Sequence, residues 1–151
     1  MRHLIACAVL AACTSPADMT MTTQPDAMEM VSESCTEATQ HSDLAWIQTD
    51  VFGKQCSLGG CHAGAASNAG HLNLQTVDSS YAALVGQPAQ TASGWTRVVA
   101  GDTAHSYLLA AIDDVAGPKP LDGYMPLTAP ELCSEKKAAI ERWIAAGAPH
   151  D

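Results

Sequence analysis

The sequence predicts an all-α domain, and three observations carry that expectation. Apolar residues recur at helical spacing in two stretches: Leu44, Ile47, Val51 and Phe52 in one, and Leu132, Ala139, Ile140, Trp143 and Ile144 in the other. Glycine and proline close each shorter apolar stretch between them, giving four or five short helices in all with no internal repeat. The connecting loops are too long for a simple bundle, so something other than side chains is expected to fill part of the centre.

The elements follow in order. Ser42 is a good N-cap, and the first apolar face predicts a helix over about 43–54, with Lys54 placed to favour the helix dipole. Gly59 and Gly60 then supply the backbone freedom for a turn. Leu72, Leu74 and Val77 lead to a short helix capped by Asp78 or Ser79, running through Tyr81, Leu84 and Val85 and stopped by Gly86 and Pro88. Trp95, Arg97 and Val99 alternate as a short extended piece. Asp102 or Thr103 is expected to cap the next helix, with Tyr107, Leu108, Ala111, Ile112 and Val115 inward and Gly117-Pro118 as its stop. A proline-rich loop over 119–130 contains Tyr124-Met125-Pro126-Leu127. Ser134 caps the last helix, whose apolar stripe ends at Gly147.

The chain of 151 residues divides into three parts. Arg2 and His3 precede an apolar run from Leu4 to Leu10 that is too short to span about 30 Å of hydrocarbon as a helix, so residues 1–12 read as a signal peptide. The ending Leu10-Ala11-Ala12-Cys13 resembles a bacterial lipobox, which implies cleavage before Cys13 and its lipidation. That places the protein in the periplasm or at the cell surface, and Thr14 after Cys13 resembles outer-membrane sorting. Residues 13–41 are rich in Thr, Ser, Met, Pro and acids without Lys or Arg, as in a flexible acidic tether. Residues 42–151 form the folded domain.

Acidic residues outnumber basic ones 16 to 7. Such a surface repels nucleic acid and favours a basic protein partner. One Phe, three Trp and three Tyr leave aromatic packing sparse, a deficit that a large buried cofactor would make up.

The cysteines narrow this further. With Cys7 in the signal peptide and Cys13 lipidated, Cys35, Cys56, Cys61 and Cys133 remain. Two disulfides balance that count; so do one disulfide, Cys35 with Cys133, and a cofactor on the other two. The stretch Cys56-Ser57-Leu58-Gly59-Gly60-Cys61-His62 is C-x4-C-H, two residues longer than the C-x2-C-H haem-attachment signature. Thioethers to both sulfurs would fix a porphyrin edge, and His62 would offer its imidazole to the iron. A Cys56–Cys61 disulfide beside an incidental histidine and a zinc site built on Cys56, Cys61 and His62 are the other readings. A low-spin haem needs a second axial ligand. Beyond residue 30 the only methionine is Met125, in a loop rather than on a helical stripe, with His71 and His105 as rivals. Arg97 suits a haem propionate.

Taken together, Val51-Phe52, Cys56 to His62, Gly70-His71-Leu72-Asn73-Leu74, Val98 to Asp102, Ser106-Tyr107-Leu108, Tyr124-Met125-Pro126 and Ile140 to Ala148 occur in the order and spacing of a known family. Over about 43–148 the chain resembles a small class I-like c-type cytochrome domain of the kind found in secreted proteins of planctomycetes and myxobacteria. The resemblance implies a cytochrome c-like all-α fold of short helices around one covalent haem c. It implies attachment through Cys56 and Cys61, with His62 and Met125 as axial ligands, and it leaves Cys35 and Cys133 to pair. The implied activity is single-electron transfer outside the cytoplasm. With both axial positions filled there is no open site for substrate, so an enzyme is not expected. Two alternatives stand beside it: a disulfide-stapled extracellular lipoprotein with a binding or structural role, and a haem protein whose displaceable distal ligand admits peroxide.

Overall fold

The computed structural model describes residues 27–64, 70–120 and 123–151, with side chains from Glu33 onward. Its regular structure is helical, as the sequence predicts. Five α-helices occur in order: α1 (Ala27–Ala38), α2 (Leu44–Ile47), α3 (Val77–Leu84), α4 (Tyr107–Ala111) and α5 (Ser134–Ala145). Extended pairing among the described residues is limited to isolated bridges.

The core forms where α2 and its continuation meet α5. Leu44, Ile47, Val51 and Phe52 pack with Ala139, Ile140, Trp143 and Ile144, none more than 1% exposed. Burying each large side chain contributes about 1.5–3 kcal/mol, so this seam is the main hydrophobic stabiliser of the domain. Trp143 also donates its indole N–H to the carbonyl of Pro149 at 2.9 Å, which folds the C-terminal residues back over the seam. Gly147, at φ +99°, ends α5, and the amides of Gly147 and Ala148 return to the carbonyls of Ile144 and Trp143, a Schellman arrangement that satisfies otherwise orphaned carbonyls.

The N-terminal boundary differs from the expectation of a tether over 13–41. Residues 1–26, including the signal segment and Cys13, lie outside the described residues, but 27–38 form α1. Composition misreads this segment because its order is tertiary. Cys35 is disulfide-bonded to Cys133, the residue just before α5. Arg142 on α5 donates to the carbonyls of Ala38 and His41 at 2.6 and 2.7 Å, supplying a cation where the end of a helix needs one.

The caps lie within a few residues of their expected positions. Asp43, rather than Ser42, caps α2 by accepting the Trp46 amide at 2.8 Å. Thr76 caps α3 in a reciprocal exchange with Ser79. Asp102 closes a turn onto His105 instead of starting a helix, and α4 begins only after Ser106. The extended piece around Trp95 is present as a double latch. Arg97 donates its amide to Gln87, and its carbonyl accepts from Leu108, at 2.7 and 2.9 Å. That latch fixes Arg97 between the chain after α3 and the start of α4.

Candidate functional site

The helix begun by α2 widens into a π-helix, Gln48–Cys56. Gly53 permits the wider ladder, since a Cβ there would stand 3.0 Å from the carbonyl of Gln48. The ladder continues as the Ser57 amide donates to Phe52 five residues back, at 2.8 Å. Residues four and five apart then share a face, which brings Val51, Phe52, Gln55 and Cys56 to one cavity. The sequence periodicity predicts an ordinary α-helix here; over nine residues the two ladders bury nearly the same apolar positions, and Gly53 is the only local sign of the difference.

The C-x4-C-H stretch leaves that helix as a closed loop. The amide of His62 donates to the carbonyl of Cys56 at 3.1 Å and that of Cys61 to Leu58 at 3.0 Å. Gly59 and Gly60, at φ +58° and +84°, turn the chain outward, and Leu58 at the tip is 54% exposed. The extra residues are therefore absorbed in a bulge while the ends of the segment stay tied together. The amide of Leu74 then donates to the carbonyl of His62 at 2.8 Å.

The cavity has a volume of about 430 Å³, within the usual range for a small-molecule or cofactor site. Most of its lining is apolar. Cys56, Cys61, His62, Arg97 and Met125 all contribute to it, although they come from three separate segments. Met125 is placed by its amide, which donates to the carbonyl of Ala111 at the end of α4 at 2.8 Å. His71 and His105 do not line the cavity. His71 is exposed, and His105 pairs with Asp102 at 2.7 Å on the surface. Trp95 packs instead with Ala89, Ala92, Tyr107 and Ala111 in a small separate cluster.

Arg97 does more than face the cavity. Its Nη1 donates to the carbonyl of Ala83 and its Nη2 to that of Gly70, at 2.7 and 2.9 Å. Burial pushes its guanidinium down from its ordinary value. Gln90, Thr91 and Tyr107 join it as polar lining groups, with the Thr91 and Tyr107 hydroxyls 2.8 Å apart. Nothing in the local sequence singles out Gln90 or Thr91, and Tyr107 is expected only on the inner face of its helix; the fold brings all three to the site.

The two thiols at the cavity are both free, so a Cys56–Cys61 disulfide is not formed. They are unequal. Cys61 is exposed, whereas burial, aided by the neighbouring Cys61, pushes the Cys56 thiol up to about 12 against the opposing effect of Lys136. Among the described residues, the one trio of thiol, imidazole or carboxylate groups within reach of a common ion is Cys35, Cys133 and Glu135, and its two sulfurs are bonded to each other. Cys56, Cys61 and His62 thus form no compact zinc cluster. No protein-family model matches the chain, and comparison with curated proteins and with solved structures finds no match.

Proposed function

We propose that the cavity holds one covalent haem c and that the protein is a cytochrome c-like carrier of single electrons outside the cytoplasm. The observation that carries this reading is that Cys56, Cys61, His62 and Met125, far apart in sequence at their extremes, line one largely apolar cavity. Two thiols, an imidazole and a thioether are the donor set such a haem uses: two covalent anchors and two axial ligands of differing softness. Bound there, the haem supplies reversible one-electron chemistry at iron.

The chain's own residues do the rest. Cys56 and Cys61 would anchor the cofactor against loss, and His62 and Met125 would keep water and substrate off the metal. The apolar lining lowers the local dielectric and so sets the potential. Arg97 offers a buried cation to a propionate while holding the Gly70 and Ala83 backbones in place.

The partner reading has a structural counterpart. Every Lys and Arg among the described residues is engaged within the fold: Lys54 with Asp50, Lys119 over the Tyr124 ring, Lys137 with Glu131, Arg142 with α1, and Arg97 and Lys136 with carbonyl groups. The carboxylates are what the surface offers, and a basic redox protein is the complementary partner. Lipidation at Cys13 would hold the domain at a membrane facing that partner.

Export to the periplasm together with haem provision tests the reading. The expected product is red, with a sharp reduced α-band and haem retained through denaturing electrophoresis. A colourless product whose Cys56 and Cys61 remain unmodified overturns it and leaves a stapled extracellular lipoprotein.

A further inference from the structure

Lys136 lies in the first turn of α5 and is 5% exposed. Its ammonium donates to the carbonyl of Asp50 at 2.9 Å and to the side-chain oxygen of Gln55 at 3.3 Å. Both acceptors are neutral. The carboxylate of Asp50 is hydrogen-bonded to Lys54 instead. A buried ammonium held by neutral oxygens is costly to desolvate, and the fold would be better served by an apolar residue unless the charge has a use.

Its position indicates one. Both acceptors belong to the π-helix that ends at Cys56, and Gln55 lines the cavity beside that cysteine. The charged groups that act on Lys136 are Asp50, Lys54 and Cys56, and Lys136 in turn stabilises the charged form of Cys56. Burial pushes the ammonium down from its ordinary value, and the Asp50 carboxylate partly restores it.

We infer that Lys136 is a positioning residue of the haem site: a fixed cation behind the Cys56 end of the cavity that stabilises negative charge arriving there. With haem bound, that charge would be the one electron accepted from a protein donor, which would lower the net charge of the centre by one. This inference rests on the proposed function.

Redox measurements on wild type, K136Q, K136R and D50N test it. Redox titration of loaded protein, followed by its absorption spectrum, should show K136Q shifted toward the oxidised form on the order of tenfold, or about 59 mV for one electron. K136R should stay near wild type, and D50N should shift the opposite way. Loaded variants with equal potentials overturn the role of Lys136 while leaving the haem reading intact. If K136Q fails to fold, an unshifted D50N overturns it equally. If wild type takes no haem, the proposed function falls and this inference falls with it.

Discussion

Arg97 reaches Gly70 across the polar side of the cavity, its Nη2 donating to the Gly70 carbonyl at 2.9 Å while Nη1 holds Ala83. One side chain thereby fastens the segment after the Cys56–His62 loop to the end of α3. Replacing it with methionine keeps the stem and removes both donors, leaving two carbonyls short of partners. The expected cost is about 2–4 kcal/mol, read as a lower denaturant midpoint. The effect should appear in haem-free protein as well, which separates the clasp from any contact with a propionate.

Among the described residues, Met125 is the one methionine lining the cavity. Met125→Ala should convert the loaded protein from low-spin to high-spin, with loss of any thioether-to-iron charge-transfer band. His71→Ala and His105→Ala should leave the spectrum unchanged, because neither histidine faces the cavity. A spectrum indifferent to Met125→Ala would assign the distal position to another group.

The unequal thiols give a third prediction, for haem-free protein. With its thiol raised from 9.0 to about 12, Cys56 carries roughly 1,000-fold less thiolate at pH 8 than at its ordinary value. Iodoacetamide should therefore mark Cys61 early and Cys56 late, as peptide mapping by mass spectrometry would show. Simultaneous labelling of both would contradict the burial of Cys56.

Asp43 yields a pH dependence. Burial raises its carboxyl, but hydrogen bonds from the His41 ring at 3.0 Å and the Trp46 amide outweigh this and hold it below the ordinary 3.8. A depressed carboxylate contributes stability that is present above 3.8 and lost as the pH falls through the folded value. Asp43→Ala should lower stability at neutral pH by about 1 kcal/mol through the lost cap. It should also shrink the difference between neutral and acidic denaturant midpoints, and an unchanged acid limb would remove Asp43 from that role.

Much of this was legible in the chain, for identifiable reasons. The stripes of α2 and α5 show plainly because a buried helix face repeats on a scale the sequence can display. The Cys56–His62 loop is local chemistry, and its glycines announce the turn that absorbs the longer spacer. Cysteine accounting offered Cys35 with Cys133 as one of its solutions, and the structure joins them. What the sequence concealed depends on contacts distant along the chain. α1 looks disordered by composition because the disulfide and Arg142 that order it lie a hundred residues away or thereabouts. Gln90, Thr91 and Tyr107 join the cavity only through the latch around Arg97. The π-helix buries the positions an α-helix would bury, so periodicity could not distinguish them.

The disulfide between Cys35 and Cys133, at a sequence separation of 98, has a consequence beyond the roughly 2–5 kcal/mol it is expected to contribute. It closes the chain into a ring that encircles Cys56, Cys61, His62, Arg97 and Met125. A protease that nicks any exposed loop between the two cysteines cannot separate the pieces, and every anchor of the site stays on one covalent circle. Under oxidising conditions a nicked molecule should run on a denaturing gel as one species, and release its fragments only after reduction.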